Sequence, residues 1–438
     1  MPFGKEQSIN RDLIKKHIIK LYLDNPKKDY DNLIESIGNA QVVLIGEASH
    51  GTEEFYHERC LITQRLIKEK DFTVVACEAD WPDTFKINRY VQNFKSNDSK
   101  NAREALSDYQ RFPTWMWRNY QIAYFVEWLK KHNDELEAKG KTEQGENRWN
   151  RYDKTGFYGL DLYSLFRSMD AVINYLEGID VEAAERAKKA YSCFDHFDQS
   201  AESYSFSTYF QVSSSCEKEV VRVLIDMVKR RTGVNKLNEE EIDELFAAEM
   251  NAVVVKNSEE YYRTMIGAGA QSWNKRDSHM MKILISLMKY LKRQRDKPIK
   301  AVVWAHNSHV GDARQTAYKN ELNIGQLARE QFGMENVYNI GFTTHTGTEK
   351  KKLPTSEELI NELANKARLR ERAIGVIYRP DTELQSHYLN AKISLQFDAV
   401  IHIDITSALK ALPDETEDKI VRTNIKEKEL PETFPAGE

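Results

Sequence analysis

The stretch QVVLIGEASHG at 41–51 constrains this chain more than any other. Val42, Val43, Leu44 and Ile45 form an unbroken apolar run, which reads as a strand covered on both faces in a mostly parallel sheet. Gly46 should end it, and Glu47, Ser49, His50 and Gly51 follow at once, with Thr52 placed to cap a helix that opens on Glu53 and Glu54. In open α/β sheets, ligands bind beyond the carboxyl ends of the strands. Glu47 and His50 therefore stand where chemistry is expected.

Other segments repeat the pattern. TVVACEAD (73–80) is a buried run that ends on Glu78, and TGFYGLD (155–161) ends on Asp161. Paired in parallel with the first strand, the 73–80 strand would set Glu78 beside Glu47 and His50. Ala301 to Trp304 form a further strand with His306 and His309 just past it. If the strand continued, those imidazoles would face opposite ways, whereas a loop lets them converge. VYNIGFTTH (337–345), RAIGVIYRP (372–380) and DAVIHIDIT (398–406) complete the expected sheet.

Helical spacing fills the intervals: 9–24, then DYDNLIESIG stopping at Gly38, then 52–70, Pro82 to Asn93 and Trp115 to Glu137. Between 164 and 295 only helical patterns occur, at 181–193, 215–231, 238–269 and 273–295. The fold expected is α/β: a mostly parallel central sheet flanked by helices, with a large all-helical insertion forming a cleft at the carboxyl ends of the strands. Residues 1–163 would supply the first part of the core, including a helical segment at 82–138. Residues 164–295 would be the insertion, 296–412 the second part of the core, and 413–438 a charged tail. Residues 139–154 read as a polar loop.

On the helix after Thr52, Arg59 falls inside the apolar stripe of Phe55, Ile62 and Leu66, while His57 lies on the polar side. A guanidinium on a packed face needs a partner. Glu47 or Glu78 would serve. RFPTWMWRN (111–119), with Trp117 and Arg118, reads either as a cleft wall or as a packed aromatic corner, and SWNKRDSHM (272–280) as a structural ion-pair cluster.

A net charge of −5 and a pI near 6.2 argue against nucleic acid or an anionic membrane as partner. A small-molecule substrate is expected, and oligomeric state is left open. No signal-peptide core and no run of eighteen apolar residues is present, so a cytoplasmic protein is expected. Cys60, Cys77, Cys193 and Cys216 lack CxxC spacing and read as reduced, small buried residues.

The set of ionisable groups narrows the chemistry. There is no GxSxG elbow for a serine nucleophile, and GEASHG lacks the glycine spacing of a dinucleotide or phosphate loop. Three histidines and two carboxylates are enough to ligate zinc, but HExxH is absent. Hydrolysis without metal or other cofactor then leads: a histidine oriented by a carboxylate deprotonates water, and a second histidine or an arginine stabilises the oxyanion. A metal-dependent hydrolase or metal-binding protein using the same groups, and a non-catalytic ligand-binding protein, are the alternatives.

GEASHG with Arg59 nine residues beyond His50, CEADW, RFPTWMWRN, YGLDLYS, SWNKRDSHM and WAHNSHV together resemble the erythromycin esterase family across roughly residues 10–345. The resemblance implies an α/β core with a helical insertion and an open cleft. It also implies water-mediated lactone hydrolysis, as in the members that confer macrolide resistance, with no covalent intermediate. By motif position it assigns the general base to His50, the supporting acid to Glu47, the arginine to Arg59 and the later histidines to His306 and His309. Together with the strand-end residues, the expected catalytic set is His50, Glu47, His306, His309, Arg59 and Glu78. Asp161, Trp117 and Arg118 are expected to contact substrate. KKKLPTSEELINELANKARL replaces a glycine- and alanine-rich loop expected after GFTTHTG, which points away from macrolide specificity more than from the reaction type.

Overall fold

The computed structural model describes residues 19–20, 29–140, 150–197, 199–232, 237–267, 269–317, 320–344, 351–353 and 369–413. Its strands are β1 (Ile19–Lys20), β2 (Val42–Ile45), β3 (Val74–Asp80), β4 (Gly156–Asp161), β5 (Ala301–Trp304), β6 (Val337–Thr344), β7 (Lys351–Leu353), β8 (Leu369–Arg372), β9 (Tyr388–Ala391) and β10 (Ala399–Ile403). Eight form one sheet in the order β1-β7-β10-β6-β2-β5-β3-β4, and β8 and β9 pair separately. The architecture is α/β, a mostly parallel sheet flanked by helices with a helical insertion.

Every residue of β2 and β5 is buried, as unbroken apolar runs require when both faces of a strand are covered. The two strands pair in parallel with Val42 opposite Ala301, and on its other side β2 pairs with β6, Val42 opposite Val337. Both neighbours of β2 thus come from far downstream in the chain. The strand order corrects one expectation: β5 stands between β2 and β3, so the strand of Glu78 is not the neighbour of the strand of Glu47.

The described residues divide into two compact units, one drawn from residues 19–76, 109–156 and 288–413, the other from 77–108 and 157–287. In the first, the helix Glu53–Lys70 turns Phe55, Ile62 and Leu66 inward and ends on Asp71 in the left-handed region. Trp304 of β5 is fully buried, and its indole N–H donates to Thr63 of that helix at 2.9 Å. In the second unit, the helices Leu165–Glu177, Val181–Tyr191, Glu217–Thr232 and Glu239–Met265 share an apolar core that includes Val172, Leu176, Ala187, Val220 and Val255.

Four further expectations are revised. RAIGVIYRP is not a strand over its length: β8 stops at Arg372, after which Ile374 forms an isolated bridge to Ser49 and Ala373 donates to the His387 carbonyl. Loop partners thus replace a ladder there, and Pro380 opens a 3₁₀ turn. Thr52 precedes its helix in extended conformation but makes no side-chain cap; the Glu53 N–H is taken instead by the Ser407 carbonyl. Ile19–Lys20, expected in a helix over 9–24, is a strand paired with β7; the rest of that helix is outside the described residues. Cys193 and Cys216 are joined in a disulfide, where four reduced thiols were expected. The turn Ser192–Phe197 and the start of the helix Glu217–Thr232 bring their Cα atoms to 5.9 Å, within the span a disulfide needs. Cys60 and Cys77 are buried and outside any disulfide, and burial pushes the Cys60 thiol up to about 12. Most of the polar loop at 139–154, most of the segment after GFTTHTG and the tail after Pro413 lie outside the described residues. Among those residues no helix is long and apolar enough to cross a membrane.

Candidate functional site

The corner after β2 is built by its two glycines. A Cβ on Gly46 would stand 2.1 Å from Asn307 Oδ1, so the backbone can pass only without a side chain. Gly51 has φ +74°, and a Cβ there would meet the Trp115 ring at 2.6 Å. Between them Glu47 turns fully inward, and its Oε1 lies 3.0 Å from His50 Nδ1. Arg59 approaches the same oxygen with Nη1 at 3.6 Å. Of the two carboxylates expected as its partner, the guanidinium has taken Glu47.

Arg59 is itself fully buried, and its Cζ lies 4.4 Å from the ring centre of Tyr56, 5.1 Å from that of Trp304 and 5.9 Å from that of Trp117. Aromatic faces stabilise a desolvated cation, and Arg is suited to such stacking. Burial is the largest influence on the Glu47 carboxyl and would raise its pKa, yet Arg59 and His50, with His306 beyond them, together hold it below the usual carboxylate range. Glu47 is therefore ionised at neutral pH and can only accept. This places the His50 proton on Nδ1 and leaves Nε2 as the basic nitrogen.

His306 lies at the end of β5 as the N-cap of the short helix Asn307–Val310. Its Nδ1 accepts the Ser308 backbone N–H at 3.2 Å and is 2.8 Å from Ser308 Oγ. The opposite tautomer follows, with the proton on Nε2. The two imidazoles are 4.9 Å apart, centre to centre, and inclined by 50°. One presents a basic nitrogen and the other an N–H donor. His309 is buried in the same helical turn, where its backbone N–H donates to the His306 carbonyl. Trp117 is buried beside Tyr56 and Arg59, and Arg118 donates from Nη2 to the Pro413 carbonyl at 3.3 Å.

Glu78 and Asp161 belong to the second unit, where the helix Ala270–Gln294 brings Arg276 between them. Arg276 donates to Asp161 from Nε at 2.9 Å and from Nη2 at 2.6 Å, and Nη2 reaches Glu78 Oε1 at 2.6 Å. Its guanidinium also lies 4.8 Å from the Tyr163 ring centre. Burial opposes the Arg276 charge, but Asp161, Tyr163 and Glu78 outweigh it and raise its pKa further. His279, one turn on, is lowered to about 4, chiefly by burial, and its Nδ1 accepts from Asn257 Nδ2 at 2.8 Å. SWNKRDSHM is thus the ion-pair cluster its composition suggested.

Tyr56 and Trp304, which complete the wall round Arg59, carried no sequence signal beyond being apolar neighbours of flagged residues. Ser308, which sets the His306 tautomer, sits openly between the two histidines of HNSH. Among the described residues, no three His, Cys, Asp or Glu side chains are grouped so that they could hold a metal ion.

Comparison with known proteins agrees with this fold. The family model for erythromycin esterase matches residues 67–406, and the chain belongs to that family. Membership supports a hydrolase. The chain is 21% identical over 350 residues to the erythromycin esterase type II of Escherichia coli, covering 76% of this chain and 77% of that protein. A solved Bacillus cereus protein superposes with a TM-score of 0.67 at 16% identity, over 92% of this chain and 98% of that one. A protein described as a succinoglycan biosynthesis protein gives 0.65 at 20% identity, over 93% and 100%. A mutant of the erythromycin esterase EreC in its open conformation gives 0.59 at 16%, over 89% and 97%. The matched family region contains His306, His309, Glu78 and Asp161, while Glu47, His50 and Arg59 precede it.

Proposed function

We propose that this chain hydrolyses a carboxylic ester or lactone by general-base activation of water, with His50 as the base. The observation that carries the reading is the 3.0 Å contact between His50 Nδ1 and the buried Glu47 carboxylate. It fixes the tautomer, leaves Nε2 free of its proton, and would stabilise the imidazolium formed when water is deprotonated. Arg59 keeps Glu47 ionised, and Trp117 contributes through the wall around that guanidinium.

Hydroxide attack on the carbonyl carbon gives a tetrahedral oxyanion. His306, with its proton on Nε2, would donate to that oxygen or to the departing alkoxide, and His309 is the second candidate donor. The proton taken by His50 returns to the leaving alcohol, so no covalent enzyme intermediate is needed. Arg118 as a substrate contact, and Glu78 and Asp161 of the second unit as charged support and substrate contact, are roles to be read by single substitution. A macrolide lactone is one member of the substrate class.

The test is hydrolysis of erythromycin beside a panel of simple esters and lactones, followed by mass spectrometry, for the wild type and His50→Asn. Gain of one water by any substrate, lost in the variant, supports the reading. Full activity in the variant overturns it.

A further inference from the structure

Glu371 is a carboxylate that the reaction above does not use, and its surroundings are unusual for one. It lies on β8, 2% exposed, opposite Leu389 of β9. Its Oε2 accepts from Gln396 Nε2 at 2.7 Å, and its Oε1 accepts a longer bond from Asn307 Nδ2 at 3.4 Å. Asn307 directly follows His306 and is the hub of the corner. Its backbone N–H donates to the Glu47 carbonyl at 2.8 Å, its Nδ2 to the Phe342 carbonyl at 2.7 Å, and its Oδ1 accepts the Phe342 N–H at 3.2 Å.

Three residues beyond Glu371, the chain touches the other histidine. The Ile374 N–H donates to the Ala48 carbonyl at 2.8 Å, and the His50 N–H donates to the Ile374 carbonyl at 3.1 Å. One short segment therefore holds the His306 corner by a side chain and the His50 corner by its backbone. We propose that Glu371 is a positioning residue for hydrolysis, gripped between Asn307 and Gln396 so that the His50 and His306 corners keep their mutual register. This rests on the reading of His50 as the base.

The chemistry of the grip makes it sensitive to pH. Among the described residues, the groups that reach the carboxyl, Asn307 and Gln396, are neutral amides. Of the charged groups nearby in sequence, Arg370 is exposed and Arg372 is engaged with Glu383 at 2.7 Å. Asp312, beyond the His306 helix, is bound by Arg314 and Arg329, and Asp398, two residues after Gln396, is bound by Arg329. Burial accordingly pushes Glu371 up to about 8, against a smaller opposing effect of Asn307. Because the folded value is raised, its contribution to stability is complete below about 4.5 and is lost as pH rises through about 8. Ionisation there would put a buried charge at the grip between Asn307 and Gln396.

The experiment compares the full chain as wild type, Glu371→Gln and Glu371→Leu. kcat and KM are measured against pH on the best ester of the panel, and the imidazole signals of His50 and His306 are followed by NMR with labelled histidine, assigned through His50→Asn and His306→Asn. Glu371→Gln can recover the grip if the Gln396 amide rotates to offer its oxygen. It should keep wild-type kcat and lose the alkaline fall expected of the wild type near pH 8. Glu371→Leu should lower kcat by about 10–100-fold with KM little changed, as expected for misplaced catalytic groups, and should move both imidazole signals. Unmoved signals and an unchanged kcat in Glu371→Leu would overturn the proposal. If Glu371→Leu fails to fold, an alkaline limb that persists in Glu371→Gln overturns it. If the wild type hydrolyses no ester, the reading of His50 fails separately, and the imidazole signals still decide the role of Glu371.

Discussion

Each unit of this chain buries an arginine among carboxylates and aromatic rings, and the two clusters solve the same electrostatic problem in opposite ways. Arg276 is bound at both edges: Asp161 takes two of its N–H groups and Glu78 a third, at 2.6 to 2.9 Å. The neighbouring His279, at about 4, is neutral under ordinary conditions. Arg59 instead stands 3.6 Å from its carboxylate and rests on three aromatic faces, while the shorter bond to Glu47 belongs to His50. A carboxylate wholly engaged by guanidinium has nothing left for an imidazole. One kept ionised at a distance can orient a base.

Substitutions should separate the two. The largest effect expected is on turnover: His50→Asn should lower kcat/KM about 10²–10⁴-fold, the usual worth of a general base. Its urea unfolding midpoint should stay close to that of the wild type; a large loss of stability would make His50 a structural residue like His279. Asp161→Ala removes the bidentate partner of Arg276 and should cost about 3–5 kcal/mol in urea unfolding, the range for breaking a buried ion pair. Arg59→Ala should fall toward the lower end of the same range, about 3 kcal/mol, because its partner Glu47 keeps the bond to His50. An unmoved midpoint would show that the guanidinium is not buried.

The pH dependence of stability offers a subtler contrast. His279 has a folded pKa lowered from 6.5 to about 4, so the charged form is disfavoured in the fold. Its contribution is complete above about 6.5 and is lost as pH falls toward 4, on the order of 3 kcal/mol in all. His279→Gln should flatten the acid limb of a stability–pH curve between those values, and an equally steep limb would assign acid lability elsewhere. The smallest effect is expected from Thr63→Val, which strips the acceptor from the buried Trp304 indole. It should cost about 1–3 kcal/mol, read from the thermal midpoint.

Much of this was legible in the chain because local signals and burial coincide. The runs 42–45 and 301–304 are short, wholly apolar and stopped by glycine or by histidine, and both became fully buried strands. Arg59 betrayed itself by breaking an apolar stripe, which only a buried partner could excuse. The partner of Glu78 was harder: SWNKRDSHM advertised ion pairs, but which carboxylates Arg276 would reach depends on packing across more than a hundred residues of chain. RAIGVIYRP misled because strand propensity cannot say whether a ladder is available, and at Ile374 the partners were the loops at Ala48 and His50. The disulfide was invisible for a related reason. Cys193 and Cys216 are brought together by helix packing, and nothing in their spacing announces it.

The pairing of β2 also bears on how the protein is made. Val42 must find Ala301 on one side and Val337 on the other, so β2 leaves the ribosome with neither neighbour yet synthesised. At about 5–20 residues per second, the nearly three hundred residues that intervene take roughly 15–60 s to emerge. Through that interval the stretch from Val42 to Gly51 has no sheet to join, and an apolar strand without neighbours is a ready substrate for holdase chaperones. The corner that carries Glu47 and His50 is translated well before the strands that flank it and can be assembled only after them.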